Sequence, residues 1–423
     1  MFRSKKRVIG AALVVALGLS GALTSAPAFA EDKVITIWAD EKRGPSLIRV
    51  FGTLEQQSGG EYATGYKIEV KPYASLDALK AAWNSATEIT GPDIIIGPAD
   101  WVPGGVKDGK LAPYTMSSAK KTEFSAGSLA DMSYRGKLYG VPMDLNNVAM
   151  IYNTKLVKSK PRSFADMVNF YKANKASKKL TNGLCVADGG MAFGGQIVLS
   201  ALGGSAYQAK NGSVDLNADP VNVTALSNNI KTYLLDSNGK SNGFLPGTDA
   251  GCSERFLKGT VPFAVIGNWN WRTYANKGFN MSTLMPVPGV VAGTYGASFG
   301  SANGAFLSSY AAKNGRDIAA KSVLTKFFSS ADGQVAYGAI EQRPAANIKA
   351  AARSSAAVKG FGQAASLASI PQIGAILDGV AGSTSYWNAS GAFWANVLVD
   401  GKNPATEAAK LNKILKKNLA AGK

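Results

Sequence analysis

The chain has 423 residues, of which 46% are hydrophobic and 17% charged, and its formal net charge is +18. This length is ample for two domains, each with its own hydrophobic core. The chain contains no histidine, which excludes the usual general base at neutral pH, the usual zinc ligand and the usual partner of a nucleophilic serine or cysteine.

The first thirty residues have the pattern of an export signal. Four basic side chains at residues 3–7 precede an apolar run over residues 8–23, and Ala28-Phe29-Ala30 supplies the small residues of a cleavage site. The pattern predicts an exported, periplasmic or extracellular protein that is cleaved after Ala30, with a retained membrane anchor as the alternative. No cysteine sits at the cleavage point, so no lipid anchor is expected.

A mature chain would keep a net charge of about +14, because the signal holds four basic and no acidic residues. Such a balance can indicate nucleic acid, an anionic envelope surface or solubility alone. The lysines are scattered through the sequence, and an exported protein rarely meets a genome. Nucleic acid is therefore not expected as a partner, and a solvated basic surface is favoured over contact with anionic envelope polymers.

Two cysteines, Cys185 and Cys252, are candidates for a disulfide in an oxidising compartment. In the chain-entropy treatment such a bond would stabilise the fold by roughly 4 kcal/mol. Two buried free thiols are the alternative.

The first part of the chain alternates strands and helices. Strands are predicted at residues 34–38, 67–71 and 93–96, and Ser75 is a plausible cap for a helix in which Leu76, Leu79 and Trp83 recur at helical spacing. This order is typical of a parallel sheet with crossover helices.

Residues 136–153 form a hairpin-like arm that runs into an apolar strand. Asp144, Asn146 and Asn147 lie just before the apolar part. Polar groups clustered beside a buried strand suggest a place where something polar is held.

The second part of the chain repeats the pattern with further elements. A strand is predicted at residues 261–266, leading into Gly267-Asn-Trp-Asn-Trp271. Helices are predicted at residues 317–329 and 404–419, where apolar residues recur on one face. The two stripes are Ala320, Val323, Leu324 and Phe327, and Ala408, Leu411, Leu415 and Leu419.

Four stretches, taken in order, resemble the maltose- and maltodextrin-binding proteins, which are extracellular solute-binding proteins (family 1) of ABC importers. They are residues 91–101 with Gly109-Lys-Leu111, the arm at 136–153, the strand and turn at 265–271, and residues 304–338 followed by Arg343-Pro344-Ala345. Together they cover most of the mature chain.

The resemblance implies an α/β fold of the periplasmic-binding-protein kind (type II), with two lobes that each hold a mixed sheet flanked by helices. It places three hinge crossings near residues 145–147, 299–303 and 339–344. After a signal peptide at 1–30, the N-terminal lobe would comprise 31–145 plus 304–339, and the C-terminal lobe 146–303 plus 340–423. The ligand would lie in the cleft, beyond the carboxyl ends of the strands.

The resemblance also implies the binding residues. Sugar rings offer apolar faces that suit indoles and a rim of hydroxyls that suits charged and amide groups. The second lobe would supply Trp269 as the stacking ring, Trp387 as a further platform and Trp271 nearby; for these rings the alternative is core packing. The first lobe would supply Asp100 and Trp101, with a helix cap as the alternative for Asp100.

The remaining candidates are the charged turn and the hinge. Asp40, Glu41 and Lys42 occupy the loop that holds a charged pair in the family, with a solvated turn as the alternative. Asp144, Asn146 and Asn147 are at the hinge. No catalytic residue, metal ligand or cofactor is expected.

Three departures from the family pattern concern the ligand and leave the fold untouched. An acid-x-aromatic stretch reads Met191-Ala192-Phe193, the arginine after the carboxyl-terminal platform is Gly391, and an indole before Asp100 is Gly97.

The sequence therefore predicts a monomeric binding protein that captures a maltodextrin-type oligosaccharide by hinge closure and delivers it to an ABC transporter permease. One alternative is another ligand, such as a different oligosaccharide, a sugar alcohol or a polyamine. The other is a secreted glycoside hydrolase that uses Asp100 and Asp144 as its carboxylate pair.

Overall fold

The structure is a computed structural model that describes residues 33–58, 62, 65–210, 213–248, 250–280, 283–354, 356–379 and 383–421. The predicted export signal lies outside these residues. Within them, every helix is too short or too polar to cross a lipid bilayer.

The strands follow the predicted order along the chain. They are β1 (Val34–Ala39), β2 (Lys67–Pro72), β3 (Ile94–Pro98), β4 (Ser133–Tyr134), β5 (Lys137–Leu138), β6 (Gly140–Tyr152), β7 (Leu184–Val186), β8 (Gln208–Lys210), β9 (Ser213–Asp215), β10 (Phe263–Gly267), β11 (Leu284–Met285), β12 (Ser298–Leu307) and β13 (Ser369–Pro371).

Helices fill most of the connections. They are α1 (Arg43–Ser58), α2 (Leu76–Ser85), α3 (Trp101–Lys107), α4 (Ser118–Lys121), α5 (Ala126–Asp131), α6 (Phe164–Asn174), α7 (Gln196–Ala201), α8 (Val223–Tyr233), α9 (Cys252–Leu257), α10 (Trp271–Ala275), α11 (Ser309–Lys313), α12 (Asp317–Val323), α13 (Ala331–Glu341), α14 (Ile348–Arg353), α15 (Ala356–Leu367), α16 (Gly374–Leu377), α17 (Tyr386–Leu398) and α18 (Pro404–Ala421). Short π-helical turns at Gly190–Gly194 and Leu324–Phe328 and a 3₁₀ turn at Asn268–Asn270 complete the set.

The first lobe is built on a mostly parallel sheet. β1 pairs in parallel with β2 and with β3, and β12 adds to β3 in the antiparallel sense. The parallel arrangement expected from the alternating strands and helices is confirmed. Ser75 caps α2 as predicted, since its hydroxyl accepts the N–H of Ala78 at 3.0 Å.

Two long strands connect the halves of the molecule. Residues 140–147 of β6 pair with β12, and residues 148–152 pair with β10. β12 makes the corresponding change, because residues 303–307 pair with β3 and residues 298–300 pair with β13. Both changes of partner fall where the first two hinge crossings are expected, so the two sheets share continuous strands at the hinge.

Packing contacts indicate where the third crossing lies. Ala346 belongs to the first-lobe core, and Asn347 and Lys349 each donate a hydrogen bond to Glu123 of the first lobe at 2.8 Å. In α15, by contrast, Phe361 packs 6.2 Å from Trp271 of the second lobe. We therefore propose that the chain passes between lobes after α14, and not at residues 339–344.

Apolar side chains cover both faces of each sheet. In the first lobe, β1 sends Ile37 to one face and Trp38 to the other. In the second lobe, β10 places Val265 on one face of the sheet and Ile266 on the other. The stripe predicted for residues 317–329, which runs through α12 and the π-helical turn after it, is buried, and so is the stripe of α18. Their members are Ala320, Val323, Leu324 and Phe327, and Ala408, Leu411, Leu415 and Leu419.

The second lobe carries the cross-link. Cys185 of β7 and Cys252 of α9 form a disulfide, with their Cα atoms 5.8 Å apart. Both residues lie in the core cluster that also holds Phe256 and Ile266. The disulfide links α9 to β7, the strand that pairs with β10. Strand β10 leads directly into the candidate site.

Candidate functional site

The charged turn at the end of β1 is shaped by Asp40. Its carboxylate accepts the backbone N–H groups of Lys42 and Arg43 at 2.9 Å and pairs with the Arg43 guanidinium. Burial alone would raise the pKa of Asp40, but the charges of Arg43 and Arg343 and the hydrogen bonds from Arg43 outweigh it and lower the pKa to about 2. Asp40 is thus ionised and holds the loop, while Glu41 and Lys42 are exposed.

Asp144 belongs to the hinge framework. Its side chain is fully buried, and it accepts hydrogen bonds from Arg43 (Nε, 3.1 Å), Asn303 (Nδ2, 2.7 Å) and Tyr337 (hydroxyl, 3.2 Å). Arg343 lies 3.8 Å away. Since protein donors surround both oxygens, we do not propose a ligand contact for Asp144.

A cavity lies where this network meets the second lobe. It has a volume of about 180 Å³, and its walls combine the charged turn, the framework and one indole. The lining residues are Asp40, Glu41, Lys42, Arg43, Leu76, Trp269, Asn303 and Arg343. The structure thus brings the predicted charged turn of the first lobe together with the predicted stacking ring of the second.

The turn after β10 holds Trp269 in place. A Cβ atom at Gly267 would lie 2.4 Å from the indole ring, so this position needs glycine. Asp188 accepts the N–H of Gly267 at 2.8 Å and an amide N–H of Asn270. Asn268 donates to the carbonyl of Leu145 at 2.6 Å, which links the turn to the hinge.

Trp269 is part of a row of three half-buried rings. Phe193 lies 5.9 Å from Trp269 and 6.3 Å from Trp387, to which it is nearly parallel at 27°. The buried Phe299 packs beneath, 5.6 Å from Phe193 and 5.5 Å from Trp387. Trp387 also donates its indole N–H to Asp378 at 3.1 Å.

Asp100 lies where the lobes touch. Its side chain makes no helix-capping hydrogen bond, so the alternative role of a cap does not apply. A Cβ atom at Gly374 of the second lobe would lie 2.9 Å from the Asp100 side chain. Burial first and then the Asp378 charge raise the pKa of Asp100 to about 6, although Lys80 opposes them.

Helix α2 lies between the cavity and the contact of Asp100 with Gly374. Leu76 lines the cavity beside Trp269, and Lys80 follows one helical turn later, with its ammonium 4.5 Å from the centre of the Trp101 ring. Trp101 itself is buried against Gly97, where a Cβ atom would lie 2.6 Å from the ring. Trp101 therefore fills the space over position 97, and its neighbour Asp100 faces the second lobe.

The other predicted residues lie away from the aromatic row. Trp271 is 2% exposed and packs against Phe361. Asn147 donates to the carbonyl of Phe361 at 3.0 Å. Asn146 and Asn147 line a second cavity, of about 290 Å³, together with Asp131, Ser125, Ser128 and Ser301.

Asp131 is the titratable group of that second cavity. It accepts the N–H of Ala302 at 2.8 Å, and burial raises its pKa to about 7.

Sequence reasoning missed several residues around the cleft. Phe193 was noted as a departure from the family pattern but not as a ring between two indoles. Lys80 could have been found, because it lies one turn after Leu76 on the predicted helix. No local signal marks Asp378, which reaches the site through tertiary packing. Asn303 falls at the end of the crossing predicted at 299–303, but its side chain was not expected in the site. Among the described residues, no group of three or more acidic or cysteine side chains is arranged to hold a metal ion.

Comparison with known proteins places this geometry in a family. A family model of bacterial extracellular solute-binding proteins matches residues 60–405. A maltooligosaccharide ABC transporter solute-binding lipoprotein of Streptococcus pneumoniae is 30% identical over 34% of this chain and 33% of its own length, so the match spans a third of that relative.

Two relatives from Bacillus subtilis match over longer stretches. A galactooligosaccharide-binding protein is 22% identical over 61% of this chain and 60% of its own. The maltodextrin-binding protein MdxE is 23% identical over 71% of each chain. The two-lobe α/β fold and the extent of the family match agree, and the chain belongs to the bacterial extracellular solute-binding proteins.

Proposed function

We propose that this protein captures a maltodextrin-type oligosaccharide between its lobes and delivers it to the permease of an ABC transporter. The observation that carries the proposal is the cavity in which Trp269 of the second lobe faces Lys42 and Asn303. The relatives that are named for maltooligosaccharides and maltodextrin support this ligand class.

The row of Trp269, Phe193 and Trp387 suits successive sugar rings. Each ring presents C–H groups on its faces, and aromatic side chains bind such faces with little loss of conformational freedom. Because three rings follow one another, the row favours a chain of sugars over a single sugar. Trp387 is held in position by its hydrogen bond to Asp378.

The first lobe would supply polar contacts. Lys42 and Glu41 are exposed beside Trp269, and their charged groups can donate to and accept from sugar hydroxyls. Asn303 turns its amide nitrogen toward Asp144, and it lines the cavity. Asp40, Arg43 and Arg343 would act by holding this wall in place.

Binding would close the hinge. A ligand that contacts both lobes stabilises the closed form by its differential affinity for that form. The shared strands β6 and β12 are where such a movement would bend. The lobe boundaries we propose follow the predicted ones, except that residues 340–353 pack with the first lobe.

The geometry argues against the hydrolase alternative. A glycosidase needs two carboxyl groups that flank the scissile bond. Asp144 is fully buried in its network, so it cannot form such a pair with Asp100. The relatives considered above are named as binding proteins, and we propose that this chain is a binding protein and not an enzyme.

We also propose that the protein is exported and that it is a monomer. Since one relative is named a lipoprotein, the expected absence of a lipid anchor has no support from the comparisons.

Calorimetric titration of the mature protein with maltotriose, a galactooligosaccharide and spermidine tests the ligand class. We expect heat of binding with maltotriose, and a loss of that heat in Trp269→Ala. Tyr233→Ala is the matched control, since Tyr233 is another half-buried ring of the same lobe, packed on Phe164 outside the cavity. Binding of spermidine alone would contradict the proposal. Shorter sugars appearing during incubation would show an enzyme.

A further inference from the structure

A dense cluster of basic side chains lies on the second lobe, and the proposed function does not use it. Residues 155–179 hold eight cationic residues and one acid. All eight cations are exposed, and the segment carries about half of the net charge expected for the mature chain. We call this surface the basic pole; its cations are Lys155, Lys158, Lys160, Arg162, Lys172, Lys175, Lys178 and Lys179.

The single acid does not neutralise the cluster. Asp166 accepts the backbone N–H of Arg162 at 2.9 Å and lies 3.8 Å from its guanidinium. Within the part of the chain that the structure describes, Arg162 is the member of the basic pole that forms an ion pair. The other seven cations of the basic pole are exposed and have no acidic partner among the residues that the structure describes. This excess of positive charge can attract a polyanion.

The basic pole is concave and combines charged with apolar side chains. A cavity of about 720 Å³ has Lys158, Lys160, Arg162 and Lys178 among its lining residues. Phe170 and Leu156, which are both half-buried, contribute apolar surface to the same cavity. Cations beside apolar side chains complement a group that is anionic at one end and apolar at the other.

The basic pole points away from the sugar cleft. Strand β10 begins at Phe263, which lines the basic cavity, and ends at Gly267, two residues before Trp269. At about 3.3 Å per residue, the strand separates the two places by roughly 13 Å. β6 runs antiparallel to β10 and ends at Tyr152 beside Phe263. A surface bound at the basic pole would therefore leave the cleft open.

We propose that the basic pole docks the protein on the anionic lipid surface of a membrane, with a phospholipid head group seated in the basic cavity. A lipid is favoured over a purely ionic polymer because the cavity combines cations with apolar side chains. Electrostatic attraction of this kind is screened by salt, and it depends on the density of anionic lipid.

Co-sedimentation of the mature protein with vesicles tests the proposal. We expect binding to phosphatidylglycerol-containing vesicles at low salt, loss of that binding in 0.5 M NaCl, and none to phosphatidylcholine vesicles. The variant Lys158→Glu, Lys160→Glu, Lys178→Glu should bind at least about tenfold more weakly. A control with the same change of charge, Lys137→Glu, Lys277→Glu, Lys413→Glu, alters exposed lysines elsewhere and should bind within about twofold of wild type.

Three results would overturn the proposal. They are wild-type protein that stays in the supernatant with anionic vesicles, an equal loss in both variants, and binding to soluble polyphosphate but not to vesicles. Melting temperatures within a few degrees of wild type would establish that both variants fold. Unchanged titration with maltotriose would show that the basic pole is separate from the sugar cleft.

Discussion

Trp269 and Trp271 are two residues apart and have different surroundings. From the sequence, Trp271 points the same way as Trp269 only if the strand continues, because side chains two apart share a face of a strand, and core packing is the favoured role for it. The strand ends at Gly267, however, and a 3₁₀ turn at Asn268–Asn270 rotates the chain. Trp269 therefore lines the cavity, and Trp271 enters the core.

This difference yields a paired prediction. Trp269→Ala should weaken maltotriose binding by about tenfold or more and change the free energy of unfolding by less than about 1 kcal/mol, because its ring is half-buried. Trp271→Ala should lower the free energy of unfolding by about 3–5 kcal/mol through the cavity it leaves. Urea denaturation and calorimetry measure the two effects. A Trp271→Ala protein that folds stably but fails to bind would contradict the assignment.

Asp40 gives a pH prediction at the same scale. Its pKa is lowered in the folded state to about 2, so its pairing with Arg43 stabilises the fold above the unfolded pKa of about 4 and is lost as the pH falls toward 2. In Asp40→Asn, the free energy of unfolding should be lower at pH 7 and should depend less on pH between 4 and 2. A slope identical to wild type in this range would contradict the role given to Asp40.

At the scale of the elements, Asp131 lines the cavity between α5 and β12. It gives the stability of the fold a pH dependence opposite to that from Asp40. Burial raises the pKa of Asp131 to about 7, above its unfolded value. The stability it contributes is therefore complete below about pH 4 and is lost as the pH rises through 7. Asp131→Asn should be more stable than wild type at pH 8, by at most about 4 kcal/mol, and should lose this advantage by pH 4. Thermal melts at both values measure the difference, and equal advantages at both would contradict the account.

The disulfide between β7 and α9 supplies another prediction. Replacing Cys185 and Cys252 by alanine should lower the free energy of unfolding by about 2–4 kcal/mol, because the unfolded chain gains freedom when the loop between residues 185 and 252 is opened. Denaturant titration gives the change. Binding of maltotriose should persist under native conditions, since neither sulfur lines the cavity. Loss of binding in a stable double variant would show that the bond positions the turn at Trp269.

Element types were largely predictable, whereas their ends were not. The stripe from Ala320 to Phe327 correctly predicted a buried helix, but the last turn widens into a π-helix at Leu324–Phe328. Phe327 and Phe328 both pack there against Phe51, at 4.5 and 6.2 Å. A helical pattern indicates which face is buried, and it contains no information about the rings of another helix that pack against the last turn.

For the whole molecule, the order of the four stretches was enough to predict the family and the two-lobe fold. The first two crossings that we propose lie at the positions expected from the sequence, because a strand that continues through the hinge must change partners there. The third crossing that we propose lies at a different position from the expected one, since α14 is tied to the first lobe by Glu123, a contact that spans more than 220 residues. The basic pole was likewise overlooked while the lysines were regarded as scattered.

The central claim is that both lobes hold one oligosaccharide and that the molecule closes around it. Small-angle X-ray scattering of the mature protein, with and without saturating maltotriose, tests this most directly. The account predicts a smaller radius of gyration with the sugar, and no change for Trp269→Ala at the same sugar concentration. An unchanged radius for wild type, under conditions where calorimetry shows the sugar bound, would contradict it.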